Sequence, residues 1–335
     1  MTVFPDDSAL SSEALPPTER RNPRTLGIDV LPTLGVLELL NDEDETVARA
    51  VRAMLGDLAA VVDETAARVR RGGRVHYFGA GSSGRIAVLD AAELVPTFGL
   101  SPDLVVGHLA GGEEAMFRAV EGAEDDEERG RAEGEAVAGD SDVVIGLAAS
   151  GRTPYVAGVL SGARGKGAFT AVITSDPGSR LLALADVGLV AETGPEAIAG
   201  STRMKATTAM KLILNSFSTA LMIRLGRTYS NLMVGVSASN VKLRDRKVRI
   251  LGEASGEPAG ACAEALAAAD GDLRLAMVML LGRADVQAAR AALQAAEGTG
   301  GHGGVRTALG LLLRFRKEMP PGYLNPQHLY MIIGR

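Results

Sequence analysis

The chain has no tryptophan, and aromatic residues make up only 4% of it. That leaves little material for the stacked aromatic platforms that bind single-stranded nucleic acid. A formal net charge of −6 points the same way, so nucleic acid is not expected as a partner. Cysteine is nearly absent too. Cys262 stands alone, which rules out an intramolecular disulfide and suits a reducing, cytoplasmic compartment. The four histidines, His76, His108, His302 and His328, show no metal-ligand spacing. Long apolar runs are missing as well. The best, over residues 212–223, is broken by Asn215, Ser216, Ser218 and Thr219, so no membrane span is expected. The opening residues, MTVFPDDSAL, lack the basic-then-apolar order of a signal peptide.

What the chain does have is a hydrophobic fraction of 46% over 335 residues, enough for one large or two modest domains. Its organising stretch is 75–99. An apolar run with Val75, Tyr77 and Phe78 stops at the turn Gly79-Ala80-Gly81-Ser82-Ser83-Gly84, and a helical pattern follows with Ile86, Val88, Leu89 and Ala92. A strand, a glycine turn and a helix N-terminus together offer free backbone N–H groups and a positive dipole end to an anion. Gly79, Gly81 and Gly84 satisfy the dinucleotide fingerprint literally. That reading also needs an acidic residue about 20 positions further on, at the end of the next strand, to hold a ribose. Asp103 has roughly that spacing but precedes the next apolar run. Ser82 and Ser83 add hydroxyl donors that suit a phosphate monoester.

Further apolar runs lie at 104–109, 143–148, 169–173 and 187–190, with helical segments between most of them. This alternation predicts an α/β fold with a doubly wound parallel sheet. Ligands of such sheets bind outside the carboxyl ends of the strands. The loop Ala149-Ser150-Gly151-Arg152-Thr153-Pro154 repeats the logic of the first, with Ser150 and Thr153 at a strand mouth and Pro154 in the first helical turn.

The N-terminal residues read as an arm, with PTERRN as a solvated charged segment. Asn41-Asp42-Glu43-Asp44 reads as the acidic start of a long helix that ends at Gly72-Gly73. Beyond about residue 201 only helices are expected. Gly200-Ser201-Thr202-Arg203-Met204-Lys205 places cations at a helix start, which makes more sense beside an anion or an acidic side chain than in a plain surface turn. A basic helix over 238–251 puts Lys242 and Arg246 on one face. The expected organisation is an arm and short helix at 1–40, an α/β domain with flanking helices at 41–250, a small helical domain at 251–312, and a tail at 313–335.

The motifs GAGSSGR, DAAELVPTFG, AGGEEA with VEGAEDD, GLAASGRTPYV, STRMKATTAMKLILN and NLMVGVSASNVKL, in this order, resemble those of the N-acetylmuramic acid 6-phosphate etherases. TERRNPRT followed by NDEDETVARAV resembles the same family's N-terminal signature, and the resemblance covers about residues 17–310. It implies a sugar isomerase-type phosphosugar-binding domain with N-terminal helices, a small C-terminal helical domain, a homodimer, and no metal or redox cofactor. It also implies cleavage of the D-lactyl ether of N-acetylmuramic acid 6-phosphate, giving N-acetylglucosamine 6-phosphate and D-lactate in cell-wall sugar recycling. By the same resemblance Glu93 matches the acid that protonates departing lactate, and Glu124 matches the second catalytic glutamate, the base at C2. Ser82, Ser83, Ser150, Gly151 and Thr153 fall in the phosphosugar loops. Asn240, Lys242 and Arg246 resemble ligand-side positions of related regulatory proteins.

Four positions depart from the family pattern: Leu94-Val95 replaces Cys-Pro, Thr207 stands at a common glycine, and Gly235 replaces an acidic residue. A non-catalytic sugar-phosphate-binding regulator, similar to the glucokinase-regulating relatives, is the alternative. Those relatives carry a duplicated sugar-binding domain, and one copy fits here.

Overall fold

A computed structural model describes residues 15–235, 241–298 and 304–318. The chain divides into two compact units. One takes the chain up to Ala92 together with Asp103–Phe217; the other takes Glu93–Pro102 and the chain from Ser218 onward.

The first unit is built on five parallel strands: β1 (Val75–Gly79), β2 (Val105–Leu109), β3 (Val143–Leu147), β4 (Phe169–Thr174) and β5 (Val187–Val190). Their order is β2-β1-β3-β4-β5. Val75 pairs with Val105 on one side and Val143 on the other, so the apolar runs expected from sequence lie in register. β1 and β3 are buried along their whole length, which is why their sequences read as continuous apolar runs. The chain moves outward from β1 to β2 and then returns to β3, which puts the topological switch between β1 and β3.

Helix α6 (Pro154–Gly165) joins a core with Phe78, Val144 and Val172. It packs closely on α5 (Glu127–Val137), because Gly130 and Gly134 of α5 face the backbone of α6, and Gly158 and Gly162 face the backbone of α5. Glycine at these crossings removes the Cβ atoms that would hold the two backbones apart. On the other face Tyr77 meets Phe217 edge-on, with ring centroids 6.2 Å apart; Phe217 belongs to α7 (Lys205–Arg224). Helix α4 (Gly81–Phe98) leads out of β1.

Two expectations for the N-terminal region are corrected. The residues 41–44 do not open a helix. They close α1 (Thr33–Asp44), which is followed by α2 (Val47–Ala53) and α3 (Leu55–Arg70). The charged arm is solvated only in part: Glu19 and Arg21 are exposed, but the segment is docked through its polar residues. It forms short 3-10 turns at Pro17–Glu19 and Pro23–Thr25, and Thr18, Asn22 and Thr25 are buried. The Thr25 hydroxyl donates to the Ala197 carbonyl (2.8 Å), and Gly200 N–H donates to the Thr18 carbonyl (3.0 Å).

The reason for both corrections is Glu43. Its carboxylate, 3% exposed, accepts from Lys205 Nζ (2.6 Å), Asn22 Nδ2 (2.8 Å) and Arg24 Nη2 (2.8 Å). A buried carboxylate needs such partners, and three of them outweigh the modest dipole preference for an acid at a helix start.

After α7 the second unit carries a hairpin that sequence patterning did not suggest, β6 (Thr228–Tyr229) with β7 (Leu232–Met233). Ser230 turns it with φ +52°. Five helices follow: α8 (Val241–Ser255), α9 (Ala259–Ala268), α10 (Leu273–Gly282), α11 (Val286–Gly298) and α12 (Gly304–Glu318). Leu251, Cys262, Met277, Ala289 and Val305 lie in their common core. Asp272 caps α10 by accepting from the N–H groups of Arg274 and Leu275. Helix α12 carries the chain six residues into the stretch read as a tail, whose remainder lies outside the described residues. Among the described residues no helix is long and apolar enough to cross a membrane.

Candidate functional site

Because all five strands are parallel, the loops after β1, β2, β3 and β4 leave the same edge of the sheet. At the first, α4 starts at Gly81 (φ +52°), only two residues beyond the end of β1. The turn is this short because Gly79 and Gly84 touch. A Cβ on Gly84 would lie 2.5 Å from the Gly79 oxygen, and one on Gly79 would lie 2.7 Å from the Gly84 nitrogen. Ser82 is half-buried and Ser83 buried, both in the first turn of α4, where N–H groups lack intrahelical partners. Glu93 is exposed on the same helix, about three turns further along.

The second loop is fixed by main-chain contacts. Gly151 N–H donates to the Ala148 carbonyl (2.9 Å), and the Gly151 carbonyl accepts from the Ser179 hydroxyl (2.7 Å). This leaves Ser150 and Thr153 half-buried at the mouth of β3, with Thr153 preceding the first turn of α6. Glu124 reaches the same place from the segment after β2. Its carbonyl accepts from Tyr155 N–H (3.0 Å), two residues past Thr153, while its side chain stays exposed. The structure therefore brings Glu124 beside the second loop. Glu93 falls in the other compact unit.

Asn240 lies outside the described residues, as does the side chain of Lys242; Arg246 is half-buried on α8. Of the cations at 200–205, Lys205 has acids beside it. The Glu196 carboxylate accepts from Lys205 N–H (2.9 Å) and Ala206 N–H (3.0 Å), and Lys205 itself pairs with Glu43. Burial pushes the Glu196 pKa up, against the two N–H donors and Lys205. This helix start holds its own carboxylate rather than a ligand.

Sequence reasoning missed the loop after β4. Ser175, Asp176 and Ser179 are buried there, and Asp176 turns the loop by accepting from Gly178 N–H (2.9 Å). The signal was present, since Ser175-Asp176-Pro177-Gly178-Ser179 follows an apolar run as the Ser150 loop does. A cavity of about 390 Å³ opens beside β2, lined by His108, Glu113, Arg129 and Glu133 among others; none of the residues selected from sequence lines it. His108 lies 3.0 Å from Nδ1 of the buried His76, whose pKa falls to about 4 through burial and then through His108 itself.

Asp103 lies ahead of the start of β2, at the opposite sheet edge from the glycine turn. It cannot hold the ribose of a nucleotide at that turn, and the literal fingerprint is not a dinucleotide site of the usual kind. The Gly235 departure also has a physical reason: a Cβ there would stand 2.2 Å from the Phe98 carbonyl oxygen.

The model of the glucokinase regulatory protein N-terminal SIS domain matches residues 57–164. N-acetylmuramic acid 6-phosphate etherase from Thermobifida fusca is 59% identical over 265 residues, covering 79% of this chain and 87% of that protein. The chain belongs to the N-acetylmuramic acid 6-phosphate etherase family. Other etherases of the family come from Bacillus licheniformis, 48% identical over 84% of this chain and 93% of that one, and Mycolicibacterium smegmatis, 48% identical over 88% and 97%. Among solved structures, a phosphoheptose isomerase from Francisella tularensis is 17% identical, with a TM-score of 0.48 over 57% of this chain and 98% of that one. The etherase family is one of enzymes.

Proposed function

We propose that this chain is an N-acetylmuramic acid 6-phosphate etherase, a carbon–oxygen lyase that works without a metal or redox cofactor. The observation that carries the reading is the tie between Glu124 and the start of α6, which sets a carboxylate-bearing residue beside a serine loop at the switch-point edge. Close relatives bearing this name support it.

In the open-chain sugar the C1 aldehyde acidifies the proton on C2. Glu124 takes that proton as general base. The C3–O bond breaks, and Glu93 protonates the departing oxygen, releasing D-lactate. Water then adds at C3 of the unsaturated aldehyde to give N-acetylglucosamine 6-phosphate. Ser82, Ser83, Ser150 and Thr153 hold the 6-phosphate through their hydroxyls and the N–H groups at the start of α4, Gly151 shapes the second loop beside it, and Asn240, Lys242 and Arg246 add polar and cationic contacts.

Purified protein should release D-lactate from N-acetylmuramic acid 6-phosphate. Binding of the sugar phosphate without lactate release would favour instead a non-catalytic regulator, a reading supported by the match to the glucokinase regulatory protein domain. We also propose a homodimer, on the strength of Leu26, Val30, Leu34 and Leu37, all more than half exposed along the arm and α1. Light scattering at micromolar concentration should give twice the chain mass; a monomer would contradict the assignment.

A further inference from the structure

We propose that Arg85 is a positioning residue for Glu124, an inference that rests on the reading of Glu124 as the base. Arg85 sits in the first turns of α4, directly after the serine turn. A cation there opposes the helix dipole, so it needs negative partners. Among the described contacts, the partners of its guanidinium are all main-chain carbonyls from one segment. Nε donates to Ala115 (3.0 Å) and Met116 (3.2 Å), and Nη2 donates to Arg118 (3.3 Å).

Between β2 and Ala123 that segment is otherwise held by local turns and by the buried Ala115. It leaves β2 through two glycines of positive φ, Gly111 and Gly112, and forms one 3-10 turn at Glu113–Met116. Ala115 is buried, but Phe117 is 90% exposed and the residues from Arg118 to Gly122 are exposed as well. The next ties to the rest of the fold are Ala123, packed against the core that holds Phe78 and Tyr155, and the hydrogen bond from Tyr155 N–H to the Glu124 carbonyl. Arg85 therefore holds the near end of the span that carries Glu124, and Tyr155 holds the far end. The planar fork of donors suits several carbonyls at once, which a lysine ammonium on a flexible stem does not reproduce. The same helix turn presents Ser82 and Ser83, so Arg85 links the first phosphosugar loop to the base.

The test uses Arg85→Lys and Arg85→Met in the full chain, assayed for D-lactate release and compared with Glu124→Gln and with Arg85→Lys/Glu124→Gln. We expect kcat to fall roughly 10- to 100-fold, the scale of a small misplacement of a reacting group. KM should stay within about threefold, because Arg85 does not touch the phosphate in this account. In the Glu124→Gln background, Arg85→Lys should cost less than about threefold more, because two changes acting through one group are not additive. Hydrogen exchange over residues 111–124 should quicken while β1 and β3 keep their protection. Full multiplication of the two losses, a raised KM with unchanged kcat, or unaltered exchange over 111–124 would each overturn the inference. A Glu124→Gln variant of full activity would instead remove the base assignment, and the exchange measurement would still report whether Arg85 ties the segment.

Discussion

Glu43 and Glu124 are both glutamates set among further acids, in Asn41-Asp42-Glu43-Asp44 and Glu121-Gly122-Ala123-Glu124-Asp125-Asp126, and the fold treats them in opposite ways. Glu43 is buried, and Arg24, Asn22 and Lys205 occupy its carboxylate. Those donors hold its pKa down at about 2, Arg24 contributing most and burial opposing. Glu124 is tied only through its main-chain carbonyl among the described contacts, and its side chain is exposed. The difference teaches that an acid's role here is set by what reaches it from distant sequence. A carboxylate whose oxygens are all engaged can hold the arm, α1 and α7 together but cannot take a proton from a substrate. An exposed carboxylate on a fixed main chain can.

The sharpest break of this comparison is chemical. Glu124→Gln and Glu93→Gln should each slow lactate release by about 10²–10⁴-fold, the usual contribution of a positioned acid or base, with melting temperature unchanged. Next comes stability. Glu43→Ala strands the Lys205 ammonium, which is 1% exposed, and should cost about 3–5 kcal/mol by denaturant titration. Equal stability to the parent would mean that the buried pair is dispensable. The smallest effect is a pH dependence. Glu43 has a folded pKa below its ordinary value of 4.5, so its stabilisation is complete above pH 4.5 and fades as pH falls toward about 2. Melting curves over that window should flatten in Glu43→Gln relative to the parent; parallel curves would assign the acid sensitivity to other groups.

The sheet was legible because its strands are short apolar runs, a pattern that burial on both faces demands of β1 and β3 whatever surrounds them. Ser82, Ser83, Ser150 and Thr153 were legible for a related reason, since a parallel sheet sends the loops after its strands to one edge. The N-terminal region was not legible. Local charge makes 41–44 look like a helix start and 17–22 look solvated, but Lys205 arrives from 162 positions away and Ala197 from 172 to make them the closing turn of α1 and a docked strap. The β4 loop was missed although its composition repeats that of the β3 loop. The role of Arg85 was invisible, because its partners are carbonyls and carbonyls leave no mark on a sequence.

The contrast between the two glutamates reduces to one measurement, the rate of D-lactate release per folded molecule in Glu124→Gln and Glu43→Gln. The account predicts that Glu124→Gln loses about 10²–10⁴-fold per folded molecule, whereas Glu43→Gln yields less folded protein of near-parent rate. A Glu124→Gln enzyme of parental rate, beside a folded but inactive Glu43→Gln, would contradict it.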